Sequence, residues 1–227
     1  LSIRHGVEDL AITTNATQLA RWAQPLRDAG LHRVTVSLDS LKPGRFETLT
    51  RRAALEDVLA GIRAASEVGF DQLKINTVVM RDFNDDEVAD LARFAQEVGA
   101  QARFIEYMDV GGATLWSPER VVTRDDILSL LQEALGEATP EASRGAAPAE
   151  SFTLANGARV GVIASTTQPF CSNCDRSRLT ADGHWYLCLY AEHGIDLRAM
   201  LRDGATADEV SEQIRSVWSQ REDRGAE

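Results

Sequence analysis

An α/β fold is what this sequence predicts, a run of parallel βα units followed by a smaller α+β region. Three observations predict it. Short strand-like segments alternate with helix-length amphipathic segments through the first half, and that alternation gives parallel sheets, open or closed into a barrel. The second half holds two hairpin signals, Asn156-Gly157 and Asp182-Gly183, separated from the βα region by a stretch of small and polar residues. With 227 residues, 44% of them hydrophobic, the chain has enough material for a sizeable core and is globular rather than disordered by composition.

Residues 9–13 (DLAIT) predict the first strand and residues 17–29 a helix that Gly30 closes. Residues 33–37 (RVTVS) give the second strand. Leu55, Val58, Ile62 and Ala65 mark an apolar stripe at helical spacing over residues 54–68. Residues 73–79 (LKINTVV) give the third strand. Asn84 and Glu87 have the spacing of a capping box and predict a helix start there, running to about Val98. Residues 102–107 (ARFIEY) form the fourth strand and residues 123–135 an amphipathic helix. Residues 136–151 read as a loop or linker, and residues 152–154 and 159–163 as a hairpin around Asn156-Gly157. The cysteine segment comes next, with the second hairpin, and helices near Leu197 and over residues 206–218 end the chain.

The charge balance is 24 Lys and Arg against 35 Asp and Glu, a net −11. An acidic surface of this strength argues against nucleic-acid binding, which needs a basic footprint, yet it leaves room for a small anion held by local arginines. No apolar run approaches the roughly 20 residues of a membrane span, so a cytoplasmic protein with no membrane partner is expected. The chain opens on Leu1 almost against its first predicted strand, and further sequence upstream is expected.

Polar residues at the strand ends are the first functional signal. Side chains two apart on a strand share a face, which groups Thr13 with Asn15, Ser37 with Asp39 and Lys74 with Asn76. In parallel α/β sheets the carboxyl ends of the strands are where ligands bind. The plainer alternative makes these residues loop and helix caps. Lys74 resists it, being one of only two lysines and lying in an apolar strand, because a buried lysine needs an anionic partner. Arg103 and Met108 flank the fourth strand. Being five apart, they face one pocket only if Met108 lies past the strand, in the turn toward Gly111-Gly112; alone, a methionine here is ordinary core.

Cys171, Cys174 and Cys188, the only cysteines, form a C-x2-C-x13-C pattern. Three so close together make a poor disulfide framework and a good metal or cluster site. The spacing leaves two chemistries open. His184 or His193 completes a closed structural zinc, or three cysteines hold a [4Fe-4S] cluster with one iron open to an outside ligand. Arg176 and Arg178 flank Ser177 directly after the pair and form a fork suited to phosphate. A zinc staple would not need that fork, although both arginines have ample carboxylates to pair with instead.

The segment FCSNCDRSRLTADG…LCL closely resembles the C-terminal cluster motif of the GTP 3′,8-cyclases of molybdenum cofactor biosynthesis (the MoaA family), which are radical S-adenosylmethionine enzymes. The same family's pattern recurs in order as LAITTN, VSLDSL, LKINTVVM, the NDDE helix start and RFIEYMDVG. The resemblance implies an incomplete (βα)6 TIM-like barrel over residues 1–112, without its first two βα units, and an α+β cluster-binding domain over residues 113–227. In that family an N-terminal [4Fe-4S] cluster cleaves S-adenosylmethionine to a 5′-deoxyadenosyl radical, which abstracts the ribose 3′ hydrogen of GTP. The sugar carbon then attacks C8 of the base. The guanine binds the open iron of a second, C-terminal cluster. Carried over position by position, Cys171, Cys174 and Cys188 match the ligands of the C-terminal cluster. Thr13, Lys74, Arg103, Arg176, Ser177 and Arg178 match GTP-contacting positions, and Ser37 and Met108 match positions that touch S-adenosylmethionine. The resemblance also implies a homodimer and a product that passes to cyclic pyranopterin monophosphate synthase.

The departures shape the expectation further. The C-x3-C-x2-C motif of the radical-generating cluster and its glycine-rich companion are absent, Ala16 stands where the family usually has glycine, and the chain stops at Glu227 without a paired-glycine tail. A cyclase shortened at both ends is expected, unable alone to form the radical, with an open-edged first strand prone to aggregation. Two other readings stand beside it: a different radical enzyme with an auxiliary cluster, which would usually carry more cysteines, and a zinc-stapled module without catalysis.

Overall fold

The computed structural model describes residues 6–109, 116–142, 145–222 and 225. Its frame is laid down by β1 (Ala11–Thr14), α1 (Leu19–Asp28), β2 (Arg33–Ser37), α2 (Pro43–Thr50), α3 (Leu55–Val68), β3 (Gln72–Val79), α4 (Val88–Glu97) and β4 (Gln101–Glu106). The four strands pair in parallel and in chain order. After α5 (Arg124–Leu135) the short β5 (Ala138–Pro140) and the hairpin of β6 (Glu150–Leu154) and β7 (Arg159–Ile163) extend the same sheet, giving seven strands in the order β1-β2-β3-β4-β7-β6-β5. β7 runs parallel to β4, and β6 and β5 follow antiparallel.

Alternation along the strands separates the two faces. Val34, Val36, Ile75, Ala102, Phe104, Val160 and Val162 turn to one side and join α1, α3, α4 and α5 in a single apolar core. The turn between β1 and α1 is tight. Ala16 lies fully buried with φ +59°, a left-handed conformation in which a glycine is free of cost. A Cβ on Gly61 of α3 would lie 2.5 Å from the Ala16 carbonyl oxygen, so the close approach of α3 to this turn requires glycine there.

Two local expectations are corrected and one element is added. Asn84 and Glu87 form no capping box. Asn84 Oδ1 accepts from the Met80 N–H and its Nδ2 donates to the carbonyls of Asp39 and Val78, while Glu87 accepts from Ser40 Oγ and the Leu41 N–H and pairs with Arg45. Both are buried and brace the segments that leave β2 and β3. A 3-10 turn (Asp85–Glu87) precedes α4 in place of a capped start. Capping boxes do close Thr123–Asp126 at α5 and Thr206–Glu209 at the last helix. Residues 136–151 are not all linker, since β5 and the start of β6 lie in them. α2 went unforeseen; it is short, with Phe46 as its one buried residue.

By contacts, this first unit takes in Ser117–Thr167 as well as the chain up to Tyr107. Chain contact continues through Thr167 in this unit, because β7 takes its parallel ladder from β4. The second unit holds Met108, Asp109 and Trp116 with the chain from Gln168 onward. In it β8 (Arg178–Leu179), β9 (His184–Tyr186) and β10 (Ile195–Asp196) form a small antiparallel sheet, followed by α6 (Leu197–Arg202) and α7 (Ala207–Ser219). Among the described residues no helix is long and apolar enough to cross a membrane.

Candidate substrate and cluster sites

In the first unit, the sheet face opposite the core is polar, and its rows follow from the strand register. Thr13, Thr35, Lys74 and Gln101 stand side by side across β1 to β4. Two residues further on, Ser37, Asn76, Arg103 and Gly161 form the next row. Thr13 and Ser37 are exposed, whereas Lys74 keeps only 7% of its surface. Gly161 leaves room for its neighbour, since a Cβ there would meet Arg103 Cγ at 3.3 Å. Arg103 Nε and Asn76 Oδ1 are buried without a hydrogen-bond partner among the described residues. Burial, then the nearby charge of Arg33, lowers the pKa of the Arg103 guanidinium, while Arg33 itself is engaged by Asp9. A desolvated arginine with an unused donor, in the row next to a buried lysine, is an arrangement that an anionic ligand relieves. At the end of β2, Asp39 accepts from the Val78 N–H, and burial raises its pKa.

In the second unit all three cysteines are free thiols of intermediate exposure. Cys171 opens a 3-10 turn ending at Asn173, and the Cys174 N–H returns to the Cys171 carbonyl. Partial burial pushes the Cys174 thiol up, but the Arg176 backbone N–H and guanidinium, together with Arg221, outweigh it and bring the thiol below its usual pKa. Arg176 Nε donates to Cys174 Sγ at 3.4 Å, and its guanidinium lies 4.8 Å over the Phe170 ring. The Tyr190 N–H donates to Cys188 Sγ at 3.5 Å. Burial raises the Tyr190 phenol, and Asp109, Cys171 and Cys188 push it the same way, so Tyr190 senses two of the three sulfurs.

His184 Nδ1 lies 3.2 Å from Asp182 and its Nε2 lies 3.8 Å from Asp196. His193 is exposed. Among the described residues no three Cys, His, Asp or Glu side chains are arranged to hold a single metal ion.

Of the residues singled out by sequence, Thr13, Ser37, Lys74 and Arg103 therefore share one sheet face of the first unit. Met108, Cys171, Cys174, Cys188, Arg176, Ser177 and Arg178 belong to the second. Met108 does lie past β4 and is half-buried, while Gly111 and Gly112 fall outside the described residues. Ser177 is exposed and Arg178 starts β8 opposite Tyr186. Phe170 and Arg221 carried no signal in the sequence; their contacts are made by folding.

The Molybdenum Cofactor Synthesis C family model matches residues 100–227, and the Radical SAM superfamily model matches residues 2–95. Together with the parallel sheet and the cysteine hairpin they define a radical SAM protein. GTP 3′,8-cyclase 1 of Mycobacterium tuberculosis (strain ATCC 25618 / H37Rv) is 51% identical over 222 residues, covering 98% of this chain and 62% of its own. GTP 3′,8-cyclase of Xanthomonas campestris pv. campestris (strain B100) is 43% identical over 229 residues, covering 100% of this chain and 67% of its own. The chain belongs to the GTP 3′,8-cyclase family of molybdenum cofactor biosynthesis. It spans about three fifths of the length of the mycobacterial relatives it matches.

Proposed function

We propose that this chain supplies the substrate-holding and C-terminal cluster-holding parts of a GTP 3′,8-cyclase. One observation carries the reading. An arginine of the C-x-R-S-R stretch rests on Phe170 with its Nε against the sulfur of Cys174, so an anion-binding group and a thiolate are held together. Cys171, Cys174 and Cys188 are the ligands of a [4Fe-4S] cluster. Their C-x2-C-x13-C pattern with the arginine fork beside it, as in the resembling family, is what supports a cluster with one open iron over a closed zinc site. Among the described residues His184 faces Asp182 and Asp196, at 3.2 and 3.8 Å from its two ring nitrogens, rather than a cysteine sulfur.

When bound, that cluster offers an open iron to the guanine of GTP, and a second cluster elsewhere in such enzymes supplies the radical from S-adenosylmethionine. The residues of this chain bind and orient. Lys74 and Arg103 present desolvated positive charge on one sheet face, where Thr13 adds a hydroxyl; Arg176 and Arg178 present a fork for a triphosphate with Ser177 between them. Ser37 and Met108 are assigned to S-adenosylmethionine. With all three cysteines committed to the C-terminal cluster, these 227 residues hold substrate and do not themselves form the radical. The sheet of β1 to β4 is then part of an incomplete barrel, the active assembly a homodimer, and the product a substrate for cyclic pyranopterin monophosphate synthase.

Anaerobic reconstitution with iron and sulfide, followed by reduction and electron paramagnetic resonance (EPR), tests the reading. One cluster whose signal shifts with GTP but not with ATP is the expected result. Protein that takes up no cluster, or a cluster indifferent to GTP, overturns it.

A further inference from the structure

We infer that Arg221 is a positioning residue that sets the separation of the two cysteine-bearing segments and so shapes the cluster they hold; the inference rests on the cluster reading above. Cys174 and Cys188 come from opposite limbs of the β8–β9 hairpin. The ladder pairs only Arg178 with Tyr186 and Leu179 with Trp185, and both cysteines lie beyond its open end, Cys174 four residues before Arg178 and Cys188 two residues after Tyr186. Those two ladder pairs leave the separation of the cysteine backbones unset.

Arg221 spans that gap. Its Nη1 donates to the Cys174 carbonyl at 3.0 Å and its Nη2 donates to the Leu187 carbonyl at 2.8 Å. The first acceptor belongs to a ligand residue, and the second is the peptide bond that leads into Cys188. A guanidinium is planar and holds its two donors at a fixed separation, so one group reaching both limbs acts as a gauge. The gauge is itself fixed. The Arg221 guanidinium lies 4.8 Å over the Trp218 ring, and Trp218 stacks on Trp185 at 6.4 Å and 23°. Trp185 is one of the few buried side chains of this unit and sits in β9. The path from the hairpin through both indoles to the guanidinium returns to the hairpin's cysteine limbs, so the residues just past α7 complete the site from outside the cysteine motif.

The experiment compares wild type, Arg221→Met and Arg221→Lys, each reconstituted anaerobically with iron and sulfide. Iron per chain, the rate of cluster loss to a chelator and the EPR line shape are measured. Arg221→Met fills similar volume without donors. It is expected to lose its cluster about 10- to 100-fold faster, the usual cost of removing an outer partner of a metal site, and to show more than one species by EPR. Arg221→Lys, which keeps donors and charge, should recover much of the difference, a rescue that simple loss of packing would not show.

Wild-type stoichiometry, loss rate and line shape in Arg221→Met overturn the inference. If Arg221→Met fails to fold, Trp218→Leu, which removes the stack beneath the guanidinium, decides: faster cluster loss supports the gauge, and none overturns it. A wild-type protein that takes up no iron is a different failure, since it removes the cluster reading itself and this inference with it.

Discussion

The two units are held together by different means. The first buries a continuous apolar cluster between sheet and helices, and its two fully buried carboxylates, Glu87 and Glu106, each accept several donors. Glu106, fully buried, accepts from the backbone N–H groups of Arg124, Thr166 and Thr167 and from the Thr167 hydroxyl. Among the described residues of the second unit, only Trp185 and Leu197 are buried apolar side chains. Leu179, Leu189, Leu201 and Trp218 remain exposed there. A region that buries so little apolar surface needs another source of stability, and in small domains a metal commonly provides it. On the function proposed above, the contrast is a division of labour: a self-supporting scaffold that would present substrate-facing residues, and a unit that would depend on its cluster for stability.

The largest expected effect follows from removing that cluster. A ligand held at about 1,000 times its dissociation constant contributes about 4 kcal/mol. Chelation, or Cys174→Ser, is therefore expected to open the second unit to protease while the first survives. The surviving fragment should end near Thr167, because β7 and β6 belong to the first unit's sheet. Mass spectrometry of the digest checks this. A fragment ending near residue 112 would show that the hairpin follows the second unit instead, and a second unit equally resistant with and without cluster would break the contrast.

Glu106→Ala attacks the scaffold instead. It removes the acceptor of three part-buried N–H donors at the start of α5 and in the segment after β7; a donor left buried and unpaired costs on the order of 1–3 kcal/mol, and one that water reaches costs less. After relaxation a loss of about 3 kcal/mol is expected by urea denaturation. Gly61→Ala should cost less, about 2 kcal/mol, through overpacking against the Ala16 carbonyl. A neutral result for Gly61→Ala would mean that α3 can move away from the β1–α1 turn.

Much of this arrangement was legible in the sequence because it is periodic. The Leu55, Val58, Ile62 and Ala65 stripe lies on α3, and residues 33–37 are β2 to the residue. The two-residue alternation that grouped Lys74 with Asn76 is the register that sets Asn76 beside Arg103. What misled was local spacing put to long-range use. Asn84 and Glu87 satisfy a capping rule, yet their side chains reach back to Asp39, Ser40 and Leu41, contacts that no window of a few residues contains. Arg221 was invisible for the same reason, its partner Cys174 lying 47 residues away. The family resemblance supplied proposed roles for the cysteine and arginine motif, and the fold added the neighbours, Phe170 and Arg221, that those residues touch.

The smallest expected effect tests the polar end of the scaffold's strands. Asp39 accepts one backbone N–H from Val78, and burial holds its pKa above the ordinary carboxylate range. A folded-state pKa above the unfolded one means that the stability due to Asp39 is complete below the unfolded pKa and is lost as pH rises through the folded one. Asp39→Asn keeps an acceptor for Val78 and mimics the protonated acid without titrating. The variant is therefore expected to match wild type below the unfolded pKa and to exceed it increasingly toward neutral pH, by less than about 1 kcal/mol given the net worth of one hydrogen bond. Denaturation midpoints of the pair across that range check the sign. If wild type instead gains on the variant as pH rises, the ionised carboxylate has a partner that favours it, and the end of β2 is a charged contributor to the ligand-facing side rather than a buried acid.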